Sequence, residues 1–308
     1  MYKLMVADVD SPSYFVATAA VKLGFFKQEG VEVEFIPEYG AKHGPEQLRD
    51  GAIHFFGGPA FAATRTFPAW KGAKLLCALA QNSYWFMGVR KDLNIARGDV
   101  KALKGKRISS SFAFPRTALR HLLVEGGLDM DHDEVRILES FPTTSEWHSR
   151  DGVKALQEDY ADGFWGNGMR MALAEKAGLA KIHLDTRRGD GPAGARYYNF
   201  AALTMTDALI EKQPEIAAAA VRAIVATQKA LKADPSLAKN VCDQLFPPSE
   251  ETELMPALIG RDAPFYDATI TREAVEGLNK FAIANKLITQ PLAFEQLVAV
   301  QFKNLWKS

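Results

Sequence analysis

Cysteine is scarce in this 308-residue sequence, which carries two, Cys77 and Cys242, and neither belongs to a Cys-x-x-Cys pair. That pattern excludes a thiolate metal site or a dithiol redox centre and predicts buried structural thiols. The six histidines, at 43, 54, 121, 132, 148 and 183, form no HxxxH or HExxH spacing. No metal and no cofactor is therefore expected. Net charge is lacking as well: 37 basic residues balance 37 acidic ones. A nucleic-acid binder would carry a basic excess, so no nucleic-acid partner is expected. No run approaches the ~18 apolar residues of a membrane helix, and the Ala-rich stretch from Ile216 to Ala226 is broken by Arg222. This predicts a soluble chain without a transmembrane segment. Met1-Tyr2-Lys3 leads into a strand pattern with no apolar leader. The chain is expected to be cytoplasmic, or periplasmic if a leader was removed before the numbering begins. Gly-x-Ser-x-Gly, Walker and dinucleotide fingerprints are absent too.

What is present is a folded chain, 47% hydrophobic and long enough for about two domains. The most telling segment runs from Gly24 to Phe35. Phe15, Ala19, Val21, Leu23 and Phe26 recur at spacings compatible with one apolar helical face, and Gly24 stands where a helix ends in a left-handed turn. After a second turn at Gly30, Val31, Val33 and Phe35 alternate with Glu32 and Glu34, as in an edge strand with one buried face. Leu4-Met5-Val6-Ala7 is an unbroken apolar run, the mark of a central parallel strand. Strand, helix and strand make a right-handed βαβ unit.

Alternation continues through a strand at 52–56 closed by Gly57-Gly58-Pro59, a helix from Ala60 to Trp70 and a strand from Lys74 to Ala80. This reads as an α/β lobe with a parallel sheet. A second α/β pattern follows: a strand ending in Ser109-Ser110-Ser111, a helix opened by Pro115, and strands at 135–138 and around Gly163-Phe164-Trp165. Tyr197 to Thr204 is placed to carry the chain back to the first lobe. From Pro214 onward the pattern is helical, with Thr271 capping a long helix. The expected division is 1–90 with 199–308 as lobe I, and 91–198 as lobe II.

Four segments resemble one family: Gly24 to Phe35, Leu48 to Gly58, Leu103 to Ile108 (Leu-Lys-Gly-Lys-Arg-Ile) and Ala155 to Gly163. Together they resemble the nitrate, sulfonate and taurine class of ABC transporter substrate-binding proteins. These share the type II periplasmic-binding-protein fold with thiamine-pyrimidine synthesis proteins. The resemblance implies two mainly parallel α/β lobes, a ligand cleft between them, hinge closure around a small molecule, and docking on an ABC transporter membrane subunit. A monomer is expected.

Ligands of open parallel sheets bind beyond the carboxyl ends of the strands. In lobe I those ends supply Ser11, Tyr14, Tyr39, Gly57, Gly58, Asn82, Tyr84 and Trp85; in lobe II they supply Ser110, Ser111, Phe112, Arg116, Trp165 and Asn167, with Tyr197 near the return crossing. The serine hydroxyls and the Arg116 fork suit a carboxylate, sulfonate or phosphate, against the plainer reading that they cap a helix and face water. Aromatic side chains at the same ends suit a planar ligand, although many would serve equally as core. Gly57 and Gly58 allow close backbone approach or positive φ, and a plain turn is as good a reading. For His54 a core position is favoured over one near the ligand.

The expectation is a binder of a small organic anion, planar or aromatic, such as a carboxylate, sulfonate or pyrimidine-like molecule, for ABC-type uptake. The alternative is a cytoplasmic enzyme of the same fold, an aromatic-acid decarboxylase or a biosynthetic enzyme, with Asp10, Glu38, His43 and Arg116 around the substrate. The cysteine-rich iron-binding run of the pyrimidine synthases does not occur here.

Overall fold

The computed structural model describes residues 1–38, 43–62, 66–67, 71–111, 114–142 and 150–307. The chain divides into two compact units, Met1–Asn82 with Asn199–Ser308, and Ser83–Tyr198. Each is built on its own five-stranded sheet.

The first unit contains β1 (Tyr2–Val6), β2 (Val33–Ile36), β3 (Phe55–Pro59) and β4 (Ala73–Ala80) from the start of the chain, with β10 (Ala201–Thr206) from the later segment. Their order is β2-β1-β3-β10-β4. Leu4, Met5 and Val6 are fully buried because β1 has parallel partners on both edges, β2 and β3. Strand β2 is the sheet edge, and its Glu34 and the preceding Glu32 are exposed while Val31 and Phe35 are buried. Between β1 and β2, α1 (Phe15–Lys22) is followed by α2 (Phe25–Gln28), with Gly24 left-handed at φ +80° and Gly30 at +77°. A side chain is strained at such φ, which is why glycine stands at both turns.

The parallel run stops at β3. Strand β4 does not pair with β3; β10 lies between them, antiparallel to both. The expected helix from Ala60 to Trp70 falls mostly on residues outside the described set. His54 lies at the start of β3, where its Nδ1 accepts from the Lys3 amide and its ring packs edge-on against Tyr2. That is the amino end of β3, away from the carboxyl ends of β1 and β3.

The C-terminal helices complete this unit. Helix α3 (Gly44–Arg49) belongs to the first segment, α4 (Phe114–Glu125), α5 (Arg150–Gln157) and α6 (Gly168–Lys176) belong to the second unit, and α7 (Asp207–Lys212) and α8 (Pro214–Ala233) follow β10. Helix α8 packs against α1 and α2, and its buried Gln228 donates to the carbonyls of Ala78 and Leu79 on β4. Thr271 accepts from the Ala274 amide at the start of the helix Arg272–Ala284.

The second unit has the order β7-β6-β8-β5-β9, formed by β5 (Phe86–Arg90), β6 (Arg107–Ser110), β7 (Arg136–Glu139), β8 (Gly163–Gly166) and β9 (Ala180–Asp185). Strands β6, β7 and β8 are parallel, while β5 is antiparallel to both β8 and β9. The pattern around Met87-Gly88-Val89 reads from sequence as the last of lobe I; its hydrogen bonds lie in this second sheet. Helices α4, α5 and α6 cover the sheet. Phe86, Phe164, Leu156, Met171 and Ala174 form the core beneath α5 and α6.

Candidate functional site

The strand directions of the second unit bring five chain segments to one rim. The carboxyl ends of β6, β7, β8 and β9 lie there together with the start of antiparallel β5, as the pairings Ser110↔Glu139, Ser110↔Trp165, Phe86↔Gly166 and Phe86↔Asp185 require. Residues far apart in sequence, Ser83 to Trp85, Ser110 and Ser111, Ser140, Trp165 to Asn167 and Asp185 to Arg187, thus share this rim.

An aromatic layer occupies its centre. Side chains alternate across a sheet, so Trp165 points away from the Phe164 core and toward the face that α4 covers. The Trp85 ring centroid lies 5.9 Å from that of Trp165, 5.5 Å from Phe114 in the first turn of α4, and 5.2 Å from Tyr84. The Arg187 guanidinium sits 6.0 Å from the Tyr84 ring centroid, and Arg187 is only 2% exposed. Its turn, Thr186–Arg188, is fixed by the Thr186 hydroxyl, which donates to the Trp85 carbonyl at 3.0 Å, and by Arg188 paired with Asp185 at 2.8 Å.

Around this layer lie buried polar atoms with no hydrogen-bond partner among the described residues: Arg116 Nε and Nη2, Trp165 Nε1, Ser83 Oγ and Ser140 Oγ. Trp165 is 1% exposed and Ser83 0%. Each atom is a donor, and a buried donor left unmade costs about 1 to 3 kcal/mol. On Arg116, Nε and Nη2 form the edge that takes a carboxylate or other oxoanion side-on; the remaining nitrogen, Nη1, is 3.8 Å from Glu139. Arg116, Trp165, Ser83 and Ser140 thus bring buried donors without partners among the described residues to one sheet rim.

The other expected residues take varied positions. Ser110 is buried and its hydroxyl donates to the Ser111 carbonyl at 3.3 Å. Asn167 caps α6, its Oδ1 accepting from the amides of Met169 and Arg170 at 3.1 Å, so that oxygen already has structural partners. Tyr197 lies in the short turn Ala195–Tyr197 beneath the Arg196 guanidinium, 5.6 Å from its ring centroid. Tyr39 and Phe112 fall outside the described residues.

In the first unit, Asp10, Ser11 and Tyr14 follow β1 and are buried. The Tyr14 amide donates to the Ser11 carbonyl, and the Tyr266 hydroxyl holds the Pro12 carbonyl at 2.9 Å. The Ser11 hydroxyl is a further buried group without a partner among the described residues. Glu38 and His43 are solvent-exposed. Asn82 ends β4's segment in the left-handed conformation, φ +62°.

Gly57 and Gly58 have neither positive φ nor a loop position. They lie within β3, paired to β10 on one edge, with Gly57 also paired to β1. A Cβ on Gly57 would stand 3.1 to 3.3 Å from Val6, Ala17 and Leu79, and one on Gly58 would stand 2.3 Å from the Phe56 ring. Close packing is the physical reason for both glycines.

Sequence reasoning did not single out Ser83, Ser140 or Arg187. Ser83 lies inside a strand-end segment that the sequence marks, but nothing there shows that its hydroxyl is buried. Ser140 needed β7 to be counted in the rim, and Arg187 reads as part of a charged loop. Among the described residues no group of three His, Cys, Asp or Glu side chains is arranged to hold a metal ion.

No curated protein matches the sequence. Solved structures resemble the fold over nearly the whole chain. The periplasmic sulfonate-binding protein SsuA of Methylobacillus flagellatus KT is 19% identical with a TM-score of 0.68, covering 99% of this chain and 93% of its own. The periplasmic nitrate-binding protein NrtA of Synechocystis PCC 6803 is 14% identical with a TM-score of 0.68, covering 99% and 87%. The desulfurization enzyme DSZB is 15% identical with a TM-score of 0.67, covering 99% and 98%. At such identities these likenesses concern the fold. The NMT1/THI5-like family profile matches residues 11–238, and the chain belongs to that family.

Proposed function

We propose that this protein is a solute-binding protein that captures a small organic anion, planar or aromatic, for ABC-type uptake across a membrane, and that it works in the periplasm. The observation that carries this reading is the set of unmet buried donors at the rim of the second sheet, above all the Nε and Nη2 edge of Arg116. An oxoanion supplies the acceptors those donors require, and the Trp165, Trp85 and Phe114 rings supply an apolar wall for the rest of the molecule. Hinge closure of the two units over the ligand and docking on a membrane subunit belong to the same proposal, supported by the fold shared with SsuA and NrtA.

The test is a thermal-shift and calorimetric screen of aromatic carboxylates, sulfonates and pyrimidines. A true ligand at 100 times its Kd stabilises the fold by about 2.7 kcal/mol. Arg116→Ala is expected to abolish the response to anions; equal binding of neutral and anionic analogues by the unaltered protein would overturn the reading.

A second reading, an enzyme acting on an aromatic acid, is favoured by the fold shared with the desulfurization enzyme DSZB. Asp10, Glu38, His43 and Arg116 are its candidate residues. Recovery of the bound ligand chemically unchanged after long incubation excludes it.

A further inference from the structure

The unmet donors are spread along the rim rather than gathered at one point. Ser140 follows β7 and Arg116 lies in the first turn of the helix that follows β6, so these two serve one end. Trp165 stands on β8, one strand further along, and Ser83 leads into β5, two strands along. Adjacent strands are about 4.8 Å apart, so β8 and β5 stand roughly 5 and 10 Å along the sheet from β6. A compact oxoanion engaged by Arg116 and Ser140 leaves them unmade, and the cost of a buried donor without a partner then persists in the complex.

Resting on the anion-binding reading, we infer that the ligand is two-ended: an aromatic acid whose acidic group meets Arg116 and Ser140 and whose ring carries, opposite that group, a second hydrogen-bond acceptor for Trp165 Nε1 and Ser83 Oγ. The ring itself fits the surroundings. Trp165, Trp85 and Phe114 form a continuous aromatic layer at the same rim, with centroid separations of 5.5 and 5.9 Å. Ser110, paired in register with Trp165, lies on the same face of the sheet. Trp165 is thus a specificity-determining residue through its N–H as well as its ring area.

The experiment uses the purified full chain and two near-isosteric probes, 4-methoxybenzoate, which has the second acceptor, and 4-ethylbenzoate, which lacks it. Calorimetry is expected to show about tenfold tighter binding of the methoxy compound, the worth of a buried hydrogen bond. Trp165→Phe keeps an aromatic ring but removes the N–H, and should bring the ratio of the two affinities to about one, whatever the change in ring area does to both probes alike. Ser83→Ala, a smaller change, should reduce the advantage independently should Trp165→Phe fail to fold. Equal affinity of the two probes for the unaltered protein, or an advantage undiminished in both variants, overturns the inference while the anion site stands. Failure of both probes to bind, or binding indifferent to Arg116→Ala, overturns the anion site and the inference with it.

Discussion

Arg170 Nε lies 2.7 Å from Asp151 Oδ1, and both side chains are largely withdrawn from water. The pair joins the first turn of α6 to the first turn of α5, and the Arg170 methylenes lie over Gly166 at the end of β8. Removing one partner strands the other in a poorly solvated place. Arg170→Ala is therefore expected to lower stability by about 3 kcal/mol in urea denaturation, and the apolar double replacement Arg170→Met with Asp151→Leu to recover most of that loss. A single-variant loss below about 1 kcal/mol would show that water reaches the pair.

Gly163 on β8 approaches the backbone of β5 so closely that a Cβ would stand 2.6 Å from the Gly88 carbonyl oxygen. A backbone atom fixed in a sheet cannot step aside as a side chain can. Gly163→Ala should cost about 2 to 3 kcal/mol and should lower the thermal midpoint without changing which ligands bind.

Burial holds the imidazoles of His54, His121 and His183 below their ordinary titration range, with Glu125 partly opposing the effect at His121 and the Asp99 carbonyl at His183. The folded state thus resists a proton that the unfolded chain accepts near pH ~6.5. Stability from these groups is complete above that value and falls as pH drops toward the folded values. Urea midpoints measured from about pH 7.5 to about 5.5 should decline, and His183→Asn should reduce the proton uptake on unfolding by up to one. A flat profile would mean that these rings are hydrated.

Both thiols are buried, and burial pushes Cys242 up to about 12 and Cys77 further still. Neither forms appreciable thiolate at about pH 8. A chromogenic disulfide reagent should titrate no thiol in the native protein and two in denaturant.

The local pattern of the first unit is readable because each element there is written in adjacent residues. Gly24 and Gly30 mark left-handed turns, Val31 to Phe35 alternate as an edge strand does, and Leu4 to Val6 are the buried centre. What adjacent residues cannot show is which distant strand completes a sheet. β10 enters between β3 and β4, and β5 enters antiparallel beside β8, because long-range packing sets those neighbours. The rim is legible through Arg116 and Trp165, whose residue types already suggest ligand chemistry. Ser83 and Ser140 are not, since a hydroxyl acquires meaning only when burial removes its water. Gly57 and Gly58 show the converse: a pair suited to a ligand is explained by the Phe56 ring and the neighbouring Val6, Ala17 and Leu79.

The place of β10 between β3 and β4 also bears on how the chain matures as it leaves the ribosome. Residues 1–82 carry β3 and β4, yet the strand that joins the two, β10, is absent until residues 201–206 arrive. The later stretch, Ser83–Tyr198, holds all five strands of its own sheet in one continuous segment. Domains fold as units during synthesis. The half of the protein that is translated first is consequently the half that finishes last, with its unpaired strand edges open for the time taken to make more than a hundred further residues.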